Sequence, residues 1–125
     1  INVDLGTVAA TSFTAAGDTS SPTAFTISLT NCPTTFTAAA VKFDGTADAV
    51  DNQLLEVTGG ATGVGIEIAD NQGTPIPLYT ASRFYPIDAT AEAVDMNFIA
   101  RYKSTQATVG EGAANGTSQF TINYQ

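Results

Sequence analysis

Histidine and tryptophan are missing from this chain of 125 residues, which has one cysteine, one methionine and four basic residues. Without histidine the protein has neither the usual general base near neutral pH nor the commonest transition-metal ligand. A single cysteine excludes a Cys-rich zinc site and a disulfide within the chain. No apolar run approaches the roughly 18 residues of a membrane-spanning helix, so insertion into a membrane is not expected. Four bases against twelve acids leave a net charge of −8. That balance argues against nucleic acid, which is gripped by Lys and Arg at its phosphates, and against an anionic lipid surface. Leucine occurs only five times and lysine twice, so strong helix formers other than alanine are scarce.

The residues that are plentiful point to β-structure. Alanine and threonine each occur 20 times, and Val and Ile add to the β-branched share. Hydrophobic residues make up 43% of the chain, enough for one core, and the length leaves room for a single domain over residues 1–125. The mean hydropathy of +0.08 is too high for a disordered chain.

Short apolar runs alternate with polar residues between turn signals. Ile1, Val3 and Leu5 end at Gly6. Phe25, Ile27 and Leu29 run up to Asn31-Cys32-Pro33. Val41 and Phe43 stop at Gly45. Val64, Ile66 and Ile68 lead into the turn Asp70-Asn71-Gln72-Gly73. Ile76 and Leu78 lie among prolines 75 and 77, which suits an edge. Val94, Met96, Phe98, Ala100 and Tyr102 form the longest run, and Phe120, Ile122 and Tyr124 the last. Period two gives each run one dry and one wet face, and about seven such strands suggest an all-β sandwich. No strand follows the Phe120–Tyr124 run, so any further strand has to come from another chain.

Candidates for chemistry are weak. Asp44, Asp48 and Asp51, with Asn52, offer oxygens for calcium, but their spacing is not that of an EF-hand loop and a solvated acidic loop is the simpler reading. Glu56 and Glu67 could be imagined as a glycosidase pair, yet acids on exposed strand faces are the default. Ser12, Ser28 and Ser82 have no base and no nucleophile elbow. The glycines from Gly59 to Gly65 lack the lysine of a phosphate loop and read as a flexible connection into the next strand. Asn115-Gly116-Thr117 fits a glycosylation sequon, though Asn-Gly also simply makes a turn. No cofactor or metal site is expected. Cys32 either is a small buried hydrophobe or, because acidic, Lys-poor β domains look secreted or periplasmic, pairs with a cysteine outside this chain, most simply upstream of Ile1.

Several fragments, in order and spanning the whole chain, resemble the subunits of chaperone–usher pili of the type 1 fimbrial kind. They are Val3-Asp4-Leu5-Gly6, Phe25-x-Ile27-x-Leu29-x-Asn31-Cys32, Val41-x-Phe43-x-Gly45-x-Ala47-Asp48 and Gly63-Val64-Gly65-Ile66-x-Ile68-x-Asp70. Then come Gly73-x-x-Ile76-x-Leu78, Phe98-x-Ala100-Arg101-Tyr102, Val109-x-x-Gly112 and the terminal Phe120 to Gln125. That family's C-terminal signature, a glycine fourteenth from the end and a penultimate aromatic, falls on Gly112 and Tyr124.

The resemblance implies an incomplete immunoglobulin-like sandwich that lacks its final strand and is completed by a donor strand from another chain. It implies a groove walled by Val3, Leu5, Phe120, Ile122 and Tyr124. This groove would be filled first by a periplasmic chaperone and then, at the usher, by the extension of a neighbouring subunit. Cys32 corresponds to the family's second cysteine; its first cysteine and donor extension would lie upstream of residue 1. The function implied is that of a structural subunit of an adhesive pilus, in the periplasm in transit and then outside a Gram-negative cell. The alternatives are the anchoring domain of a tip adhesin and a carbohydrate-binding sandwich. An enzyme is not expected.

Overall fold

Alternation in the sequence becomes six strands in the computed structural model, which describes residues 13–33, 35–88 and 90–125. They are β1 (Thr23–Leu29), β2 (Ala38–Gly45), β3 (Val64–Asp70), β4 (Tyr85–Pro86), β5 (Val94–Ser104) and β6 (Ser118–Tyr124). All pair antiparallel, in two three-stranded sheets ordered β1-β5-β3 and β4-β2-β6. There is no helix among the described residues. The expected strand at Ile1–Leu5 lies outside them. The Ile76–Leu78 piece forms no strand of its own: Pro75 bridges Ala69, and the Ile76 N–H donates to the Ile68 carbonyl at 2.8 Å.

β5 is the organising strand. Its 11 residues alternate buried with more open positions, and it pairs with β1 on one side and β3 on the other. Met96 and Phe98 are fully buried. The Phe98 ring stacks on Phe25 at 5.6 Å and takes edge contacts from Phe43 at 5.4 Å and Tyr85 at 5.5 Å. One ring thus ties both sheets together, a geometry worth about 0.5–1.5 kcal/mol per aromatic pair beyond the burial itself.

β3 breaks the half-buried pattern, because all seven of its residues are buried. Its outward face is covered by the loop at Leu54, which packs on Gly65 so closely that a Cβ there would sit 2.8 Å from the Leu54 Cβ. Its free edge is paired by Leu55, which exchanges two main-chain hydrogen bonds with Ile66 (2.9 and 3.0 Å), and by Pro75.

The glycine-rich stretch is not the flexible connection that its composition suggests. Thr58 bridges Asn115, the Ala61 N–H donates to Ala113 O at 3.0 Å, and Thr62 bridges Gly110. Glycines make this ladder possible: a Cβ on Gly59 would fall 2.5 Å from the Ala113 carbonyl oxygen.

Candidate functional site

The edges of the two sheets are not treated alike. β3 is edged by Leu55 and Pro75, and β2 by β4 and Ala81. β1 pairs only with β5, and β6 only with β2, so their far edges carry no ladder among the described residues. Unpaired N–H and C=O rows of this kind are templates for another strand.

β6 shows why that edge matters. Its register sets Phe120 opposite Phe43, Ile122 opposite Val41 and Tyr124 opposite Ala39, and these three partners all belong to the core. The apolar face of β6 therefore turns inward, as period two demands. Yet Phe120 is 42% exposed and Tyr124 40% exposed, while Ile122 is half-buried against the core. Tyr124 stacks on Phe36, itself 37% exposed, at 4.9 Å. Inward-facing rings that stay wet are the mark of a core left open at one seam.

The seam contains a cavity of about 170 Å³. Phe25 and Ile27 of β1, Phe43 of β2, Ile66 and Ile68 of β3 and Ala100 of β5 line its walls. Leu55, Gly116, Ser118 and Phe120 close its rim. The lining is apolar, so what it suits is a row of aliphatic or aromatic side chains.

Of the expected groove residues, Phe120, Ile122 and Tyr124 lie on one inward face of β6, and Phe120 lines the cavity. Val3 and Leu5 lie outside the described residues. Sequence reading did not assign Phe25 and Ile27 to the cavity, although their alternation already turned both inward; Leu55 and Gly116 come from loops and carried no periodic signal.

Gly112 sits where its carbonyl-side neighbours cross the Gly59–Ala61 ladder. Its φ is +149°, and a Cβ would lie 2.9 Å from Gly60 C and 3.0 Å from Ala61 N. Two backbones meet there with no room for a side chain. Cys32, the one cysteine of the sequence, is buried, 3% exposed, with its N–H donating to the Glu92 carbonyl at 2.8 Å.

Apart from Glu56, the acids considered for chemistry are engaged elsewhere. Glu67 is buried rather than on an exposed strand face. Its Oε1 is 2.6 Å from Arg101 Nη2 and accepts from Arg101 Nε at 2.7 Å, while Oε2 lies 3.6 Å from Lys103 Nζ. An unpaired carboxylate there would be costly, and the two bases of β5 remove that cost. Glu56 is exposed. Asp48 and Asp51 turn their carboxylates on local main-chain N–H groups of Val50, Asp51 and Gln53 at 2.9–3.0 Å, as turn formers do. No three metal-binding side chains come together among the described residues.

Two titrations are displaced by local structure. Hydrogen bonds from the Thr14 N–H, the Thr14 hydroxyl and the Ala15 N–H hold Asp18 below the usual carboxylate range. Burial pushes the Tyr85 hydroxyl up, against the pull of Arg83, whose guanidinium lies 4.3 Å over the ring.

A family model for fimbrial proteins matches residues 1–125. The chain belongs to the fimbrial protein family. A type-1 fimbrial protein, A chain, of Salmonella typhi is 40% identical over 130 residues, which span 98% of this chain and 70% of the relative. The crystal structure of an antigen and type I fimbria protein of Burkholderia pseudomallei superposes with a TM-score of 0.83 at 41% identity, covering 99% of this chain and 82% of that one. The P pilus rod subunit PapA shares the fold, with a TM-score of 0.81 at 22% identity over 100% of this chain and 92% of that one. This fimbrial chain is a structural subunit of an extracellular pilus of Gram-negative type and associates with other subunits of it.

Proposed function

We propose that residues 1–125 act as a single strand-accepting domain, and that the seam beside β6 receives an extended strand of another polypeptide. The observation that carries this reading is that Phe120 and Tyr124 face the core and are still 42% and 40% exposed. A strand laid along β6 would gain main-chain hydrogen bonds from the open edge, and alternate apolar side chains would enter the cavity. The donor is first a periplasmic chaperone, which shields the open edge from aggregation, and then the neighbouring subunit at the usher. Gly112 and Tyr124 form the C-terminal signature presented to chaperone and usher, and Cys32 pairs with a cysteine outside these residues. The chain works by assembly and is not an enzyme.

The test is a thermal melt with and without a synthetic peptide bearing apolar residues at alternate positions. A peptide at 100 times its Kd is expected to add about 2.7 kcal/mol, raising the Tm by several degrees. The same peptide with aspartate at its central apolar position is expected to add nothing. Equal melting temperatures with and without the apolar peptide would overturn the reading.

A further inference from the structure

Asn115-Gly116 is the one Asn-Gly pair in the sequence. It stands at the root of β6, two residues before Ser118. Asn115 is held in a main-chain clasp with Thr58: its N–H donates to Thr58 O at 2.8 Å, and its carbonyl accepts the Thr58 N–H at 2.7 Å and the Thr58 hydroxyl at 3.3 Å. Its side chain is exposed. Neither the Asn115 side-chain amide nor the Gly116 N–H has a hydrogen-bond partner among the described residues.

We propose that Asn115 is a modification site, converted without an enzyme to aspartate and isoaspartate through a succinimide. The Gly116 main-chain nitrogen attacks Cγ of Asn115. A C–N bond forms, the nitrogen gives up its proton, and the side-chain Nδ2 leaves as ammonia. Water then opens the five-membered ring at either carbonyl. Only water is consumed and nothing is oxidised or reduced. Glycine favours the attack because no Cβ crowds the nitrogen. A free N–H and a free side-chain amide mean that no hydrogen bond at either reacting group has to be broken first.

The clasp sets the rate. Residues in an antiparallel bridge are extended, and an extended Asn115 turns the Gly116 nitrogen away from Cγ. Ring closure therefore waits for the Thr58 clasp to open, which is a local unfolding event at the base of β6. Two net main-chain hydrogen bonds correspond to roughly tenfold to a hundredfold protection relative to the unfolded chain. The site also lies against the cavity. A Cβ at Gly116 would sit 2.8 Å from Ile66 Cδ1 and 3.0 Å from Leu55 Cδ2, both on its lining. Conversion adds a carboxylate at that rim, and isoaspartate inserts an extra backbone carbon just before the Ser118–Gly45 pair that starts the β2–β6 ladder. The proposal does not depend on what fills the cavity.

The experiment incubates the purified subunit in mildly alkaline buffer, native and in urea, and maps peptides by mass spectrometry with chromatographic separation of isoaspartate. Residue 115 is expected to convert at least about tenfold faster than any other asparagine in urea, where sequence alone acts, with isoaspartate as the larger product. In the native subunit the same site is expected to convert about tenfold or more slowly than in urea, yet still ahead of every other asparagine. Conversion of residue 115 to aspartate alone, or at the pace of the other asparagines in urea, overturns the succinimide route. Equal rates in native protein and urea overturn control by the clasp.

Discussion

Gly112 shows what a single residue can carry. The geometry requires a glycine at this position, since its φ of +149° and its approach to Gly60 and Ala61 leave no space for a Cβ. Gly73 is the natural comparison, because its φ is +84° and a Cβ added there would meet nothing within 4 Å. Gly73→Ala is therefore expected to cost only the left-handed strain, about 1 kcal/mol. Gly112→Ala adds a backbone collision and is expected to cost about 2–4 kcal/mol, because the ladder from Thr58 to Thr62 has to move. Urea unfolding of the two variants, each with a donor peptide bound, measures the difference; equal losses would refute the crowding argument. Glu67 is the residue that sequence misjudged. Alternation put it on the outward face of β3, where it lies, but the Leu54 loop covers that face and Arg101 and Lys103 neutralise the buried carboxylate. A covering loop leaves no periodic trace.

At the scale of elements, legibility followed the physics of half-burial. β1, β5 and β6 each turn one apolar face inward, and their alternation reads directly from Phe25-Ile27, Val94 to Tyr102 and Phe120 to Tyr124. β2 extends to Ala38 and Ala39, where alanines carry no pattern. β4 was invisible because two residues, one a proline, hold no periodicity. β6 itself offers a test of its facing. Ile122 lies opposite Val41 and packs on the core, whereas Thr121 is exposed opposite Lys42. Ile122→Asp would bury a carboxylate with no partner and is expected to cost about 2–4 kcal/mol and to abolish donor-peptide binding. Thr121→Asp places its charge beside a lysine in a cross-strand pair and is expected to stay within about 0.5 kcal/mol of the parent. Peptide-binding titrations on both variants decide it. Loss of binding in Thr121→Asp with binding kept in Ile122→Asp would mean that the faces are reversed.

The whole molecule is set by charge as much as by its open seam. All four bases are ion-paired: Lys42 with Asp44, Arg83 with Asp70, and Arg101 and Lys103 with Glu67. The remaining acids have no basic partner among the described residues, so the net charge of −8 faces solvent almost unopposed. On the proposed function, one groove and one donated strand per subunit would make a heterologous contact that does not close, which is how a fibre grows. Each addition then brings two strongly acidic bodies together, and their repulsion opposes docking even where the strand and groove fit. Raising salt from about 10 mM to about 150 mM shortens the Debye length from about 30 Å to about 8 Å, which is less than the width of the domain. Subunits bearing their donor segment are therefore expected to polymerise faster and further at the higher salt, as followed by light scattering and electron microscopy. The melting temperature of each peptide-filled subunit is expected to change less over the same range, because the Glu67 carboxylate at the centre of the largest ion-pair cluster is buried. Slower polymerisation at higher salt would show that attraction between charged faces drives docking, and that the acidic surface does not limit assembly.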